Sequence, residues 1–144
     1  MKIEKLDHVH IFVRDLDAAI RRFEDLLGVK FEEPVTEDLQ QFGARAAFAL
    51  PGLDVGQPTS PDSSVAKVID RMGEGLVGGV SFKVADIEPA IAELQSKGMT
   101  LLGRLEIGGI KEAWFHPKDA FGLAIELCEY DAADPVEAVL QKQE

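Results

Sequence analysis

The chain carries one strand-and-helix unit twice. LDHVHIFVRDLDAAIRRFEDLLG at residues 6–28 and VGGVSFKVADIEPAIAELQSKG at residues 77–98 align at one offset up to the ends of their helices. That offset sets Val13 on Val84, Asp15 on Asp86, Leu16 on Ile87, Ala19 on Ala90, Ile20 on Ile91 and Phe23 on Leu94. In each copy an alternating apolar pattern gives way to apolar residues three and four apart, the change from strand to helix periodicity. Two similar α+β modules are therefore expected. The copies differ most pointedly at their start, where His8 falls on Gly79.

In the first copy Val9, Ile11 and Val13 share a strand face that should meet the helix, leaving His8, His10 and Phe12 on the other. Asp15 or Asp17 is expected to cap that helix. Leu16, Ala19, Ile20, Phe23 and Leu27 form its buried stripe, and Gly28 ends it. Strands are expected near 29–33, 43–50 and 53–57. In the second copy Val80, Phe82 and Val84 repeat the apolar face, and Gly79, Ser81 and Lys83 repeat the other. Asp86 caps the second helix, Pro89 sits in its first turn where a missing N–H costs little, and Gly98 closes it. Strands near 99–105, 110–116 and 122–129 complete the set. These signals divide the chain into a first module over 1–58, a linker over 59–76, a second module over 77–130 and a tail over 131–144. The linker should hold a short helix near 62–72 capped by Asp62 or Ser63, and the tail DAADPVEAVLQKQE is a docked terminal helix or frayed.

Fifteen basic against twenty-six acidic residues give a net charge of −11, which opposes binding to a phosphate backbone. Nucleic acid is not an expected partner. The charge suits a cationic ligand unless Lys67, Arg71, Lys83, Arg104, Lys111 and Lys118 gather at one rim. No apolar run is long enough for a membrane span, and the start MKIEKLDHVHIF lacks a secretory h-region, so a cytoplasmic location is expected. The single cysteine, Cys128, lies in the apolar run LAIELCEY and reads as a buried, inert thiol.

If both helices cover one side of the sheet, the opposite strand faces line a shared surface. His8, His10 and Phe12 come to it from one copy and Gly79, Ser81 and Lys83 from the other. The last strands add to it: aligning LDV with IEL pairs Asp54 with Glu126, a carboxylate flanked by apolar neighbours in each copy. Such a carboxylate needs a partner or a role. His8, Asp54 and Glu126 are thus candidate ligands for a divalent metal such as cobalt, nickel, manganese, zinc or iron. His116, in FHPK, is more a turn-shaping residue than a chemical one. Trp114 and Phe121 read as core or pocket wall.

LDHVHIFVRDLDAAIRRFEDLLGVKF, VSFKVADIEPAIAELQSKGMTLL and FHPKDAFGLAIELCE together resemble the vicinal oxygen chelate superfamily of glyoxalases, bleomycin-resistance proteins and extradiol dioxygenases. The resemblance is greatest to the methylmalonyl-CoA epimerases. It implies an α+β fold of two tandem βαβββ modules forming a curved, mixed β-sheet cleft around a divalent metal, in a homodimer that takes a small-molecule substrate. It implies a metal-dependent isomerase or lyase, with a metal-free ligand-sequestering protein or a non-haem dioxygenase-like enzyme as the alternatives. Carried over by position, the epimerases' first ligand histidine is His8, their first-half Gln/Glu falls on Asp54, and their final glutamate is Glu126, which would also serve the chemistry. Their second histidine falls on Gly79. Their proton-shuttling glutamate falls near Ala46, with Glu37 and Asp38 as nearby acids. His10, sharing a strand face with His8, would restore a second imidazole.

Overall fold

A computed structural model of the chain describes residues 1–141. It resolves into two compact units, one of His8–Gly78 and one of Met1–Asp7 together with the chain from Gly79 onward.

In the unit beginning at His8, strand β1 (Ile3–Phe12) leads into helix α1 (Leu16–Leu27). Asp15 is the cap, its carboxylate accepting from the Ala18 N–H at 3.0 Å, and Gly28 closes the helix at φ 66°. Leu16, Ala19, Ile20 and Phe23 pack with Ile11, Val13, Val55 and Ala49, so the apolar side of β1 does meet its helix. Leu27 departs from the expected stripe and stands 59% exposed. The cluster continues past the left-handed cap through Val29 and Phe31 instead.

The expected strand at 29–33 is also absent, replaced by two isolated bridges, Phe31 to Ala49 and Val35 to Ala46. Glu32, Glu33 and Pro34 follow Phe31 directly, and proline cannot donate to a ladder. Strand β2 (Ala44–Ala49) then pairs antiparallel with β3 (Leu53–Pro58), which runs parallel to β1 with His10 opposite Asp54. Helix α2 (Ser64–Met72) is capped by Ser63, whose hydroxyl accepts from the Ala66 N–H at 3.0 Å. Its Val65 and Ile69 pack on Ala44, Leu39 and Phe12.

The other unit repeats the plan. Strand β4 (Gly75–Val84), helix α3 (Ile87–Ser96), β5 (Leu101–Ile107), β6 (Ile110–Phe115) and β7 (Ile125–Glu129) follow in order. Asp86 caps α3, and Glu129 in β7 accepts from the Ile87 N–H at 2.8 Å, tying the helix start to the sheet. Ile87, Ala90 and Ile91 pack against Val84, Ala113, Phe115 and Leu127. β7 is parallel to β4 and antiparallel to β6, and β6 is antiparallel to β5. The tail forms helix α4 (Pro135–Gln141), whose buried Ala138 packs with Ile110, Cys128 and Tyr130, so it is docked; its last three residues lie outside the described residues. Phe121 is not pocket wall: it sits at φ 53° in the turn before β7, fully exposed. Among the described residues no helix is long and apolar enough to cross a membrane.

Candidate functional site

His8 and His10 lie two residues apart on β1 and so emerge on the same face. His8 is buried at 2% exposure, held edge-to-face against Phe48 of β2 with ring centroids 5.4 Å apart. The His10 ring meets it edge-on at 4.7 Å, and the two Nε2 atoms are 3.1 Å apart. On its other side His10 Nδ1 lies 3.2 Å from Asp54 Oδ2, the residue opposite it in the parallel β1–β3 register. A carboxylate is acceptor-only, so His10 Nδ1–H donates to Asp54, which leaves Nε2 as the ring atom that faces His8. His8, His10 and Asp54 each bring a ligand atom within 4.8 Å of the others. Two imidazoles and one carboxylate, half-buried or deeper, are a donor set that suits a divalent transition metal. Phe12, next on the same face, is taken up in packing beneath α2.

The second unit holds the other expected residues. Ser81 stands opposite Glu126 in the parallel β4–β7 register, the counterpart of His10 opposite Asp54, so the duplication extends to the cross-strand pairs. Ser81 is fully buried and Glu126 is 7% exposed. Glu112 of β6, which the sequence reading passed over, brings a carboxylate oxygen within 4.8 Å of one from Glu126. Its signal was the single acid in the strand segment IKEAWF, comparable with Asp54 in LDV and Glu126 in IEL. Lys83 is engaged elsewhere, 2.9 Å from Glu4 and with its ammonium 4.6 Å from the centre of the Tyr130 ring. Arg104 and Lys111 are likewise paired, with Glu88 and Glu129, so these cations are engaged with carboxylates. The Lys111 ammonium is held above its usual range by its hydrogen bond to Glu129.

His116 shapes its turn: Nδ1 accepts from the Lys118 N–H at 3.1 Å. Cys128 is buried and free, and burial pushes its thiol well above the ordinary range, which leaves it a poor nucleophile. Gly79 has φ +116°, and a Cβ built there would lie 2.3 Å from the Ala124 carbonyl oxygen. Its lack of a side chain is thus dictated by the backbone beside it, whatever its consequence for a metal. β2 reads Ala-Arg-Ala-Ala-Phe-Ala and supplies no acid at Ala46; Glu37 and Asp38 lie on the exposed turn Glu37–Phe42.

A family model described as the Glyoxalase/Bleomycin resistance protein/Dioxygenase superfamily matches residues 7–114. The chain belongs to that superfamily, and its α+β fold is the one found there. Within it, the chain is similar to methylmalonyl-CoA epimerases. An ethylmalonyl-CoA/methylmalonyl-CoA epimerase of Cereibacter sphaeroides is 31% identical over 132 residues, covering 87% of this chain and 97% of that one. The crystal structure of methylmalonyl-CoA epimerase from Mycobacterium tuberculosis is 30% identical with a TM-score of 0.78 over 90% of both chains. A Streptomyces coelicolor methylmalonyl-CoA epimerase variant in complex with 2-nitronate-propionyl-CoA reaches a TM-score of 0.80 at 26% identity, over 91% of this chain and 100% of that one.

Proposed function

We propose that this protein is a metal-dependent, isomerase-type enzyme that moves a proton beside the carbonyl of an acyl substrate with two coordinating oxygens. Acyl-CoA thioesters are the class that its relatives' names suggest. The single observation carrying this reading is the His8–His10–Asp54 cluster on paired strands. Glu126, matching the family's last ligand, is proposed as a further metal ligand and catalytic residue on the strength of that match. When bound, a divalent metal supplies Lewis-acid polarisation of the carbonyl. His8 would hold it in place, its ring fixed by Phe48.

By the resemblance the epimerases' proton-shuttling glutamate falls near Ala46, so in this chain another group would have to move the proton. The chain is expected to work as a homodimer, which light scattering would check. Exchange of the α-proton of methylmalonyl-CoA in D2O, followed by proton NMR with cobalt-loaded protein, tests the reading. Exchange above the protein-free rate that falls with His8→Ala supports it. Exchange at the protein-free rate across malonyl and methylmalonyl thioesters would refute it. That outcome would favour a second reading, a ligand-sequestering protein of the bleomycin-resistance kind, to which Ala46 and the net charge of −11 already lend weight.

A further inference from the structure

Resting on that metal-dependent reading, we infer that the second imidazole of the site comes from His10 on the same strand as His8, and that Asp54 orients His10 instead of binding the metal. Three observations lead there. First, an imidazole at position 79 is excluded locally, because a Cβ there meets the Ala124 carbonyl oxygen at 2.3 Å and the Ala124 Cβ at 2.9 Å. Second, the two Nε2 atoms are 3.1 Å apart. Both nitrogens could reach one ion, since nitrogen–metal bonds are about 2.1 Å long. Third, His10 Nδ1 is already committed to Asp54 Oδ2 at 3.2 Å, the arrangement by which a carboxylate fixes the tautomer and ring plane of a ligating histidine.

The surrounding backbone fits this placement. A Cβ at Gly78 would lie 2.6 Å from the His10 Cβ and 2.8 Å from Phe12 Cε1. A side chain at 78 would therefore collide with the β-carbon of residue 10 and with the Phe12 ring, and the glycine allows this close approach beside His10. Asp54 is a positioning residue in this arrangement and His10 a ligand.

The test uses the full chain, loaded with Co2+ for affinity and with Cu2+ for pulsed EPR, in the native protein and in His10→Gln and Asp54→Asn. Circular dichroism and thermal melts establish that each variant is folded. The native protein is expected to bind one ion with two imidazoles coupled to Cu2+. His10→Gln should show one imidazole and lose more Co2+ affinity than the ~10–100-fold that removing an outer partner costs. Asp54→Asn, whose amide oxygen still accepts from Nδ1–H, should keep both imidazoles and lose affinity within that range. Native-like imidazole count and affinity in His10→Gln, with metal bound, would overturn this inference while leaving the metal-dependent reading intact. Complete loss of metal in folded Asp54→Asn would overturn the role given to Asp54. A native protein that binds neither ion would overturn both readings.

Discussion

Replacing Gly79 with histidine should weaken the protein without adding a ligand. At φ +116° a residue with a Cβ is strained, by about 1–3 kcal/mol for sparsely populated backbone regions. The Cβ also falls 2.3 Å from the Ala124 carbonyl oxygen, well inside contact distance, so the 124 peptide must retreat. That carbonyl accepts from the Val80 N–H at 2.9 Å, and breaking the bond removes roughly 0.5–1.5 kcal/mol. Together these give a loss of about 1.5–4.5 kcal/mol, a large share of the ~5–15 kcal/mol that holds a typical domain. For a chain of this size each kilocalorie shifts the melting temperature by roughly 2–4 °C. Urea unfolding followed by tryptophan fluorescence, with a thermal melt alongside, reads the effect, and Gly79→Ala should show most of it. A Gly79→His protein as stable as the native chain and binding Co2+ more tightly would refute the reasoning, since position 79 would then accept a side chain and supply a ligand.

Phe121 should respond in the opposite way: because it is fully exposed at φ 53°, Phe121→Gly should be more stable than Phe121→Ala by about 1–2 kcal/mol in urea, and equal stabilities would contradict the backbone strain. The Glu93 carboxyl, hydrogen-bonded to Lys97, is drawn down to about 2 from its ordinary 4.5. Because the folded value is the lower one, whatever this pair contributes is present above the unfolded value and lost as pH falls from 4.5 toward 2. A carboxyl-carbon NMR titration should find a midpoint near the lower figure that rises in Lys97→Ala, and a midpoint unchanged by that substitution would discard the pairing. Cys128 should resist a thiol reagent at pH 8 in the native protein and react fully in guanidinium; rapid native labelling would contradict its burial.

Much of this architecture was legible because it is written in periodicity and caps, which are local. Asp15, Ser63 and Asp86 cap their helices as the sequence suggests, and Val13 and Val84 face the helices that follow them. The pairing of Asp54 with Glu126 across the duplication was readable from LDV and IEL, and the parallel registers set each opposite the matching residue of the first strand, His10 or Ser81. What escaped was non-local. The segment at 29–33 has strand-like residues yet finds only single bridges, and Leu27 keeps helical spacing but lies beyond the packing cluster. Gly79 could be seen to lack an imidazole, but the carbonyl of Ala124 that forbids one comes from a turn far along the chain. The link from His10 to Asp54 required knowing that β3 runs parallel to β1, which spacing alone does not reveal.

The two compact units part between Asp7 and His8 and again between Gly78 and Gly79, equivalent points of the two repeats. Each repeat therefore begins its first strand in the unit that the other repeat completes: Asp7 accepts from the Tyr130 hydroxyl at 2.5 Å, and Gly78 abuts His10. A gene encoding either repeat alone would leave Tyr130 without Asp7 or His10 without Gly78. The repeats can thus differ in their side chains, as His8 and Gly79 do, while each compact unit still takes the start of its first strand from the other repeat.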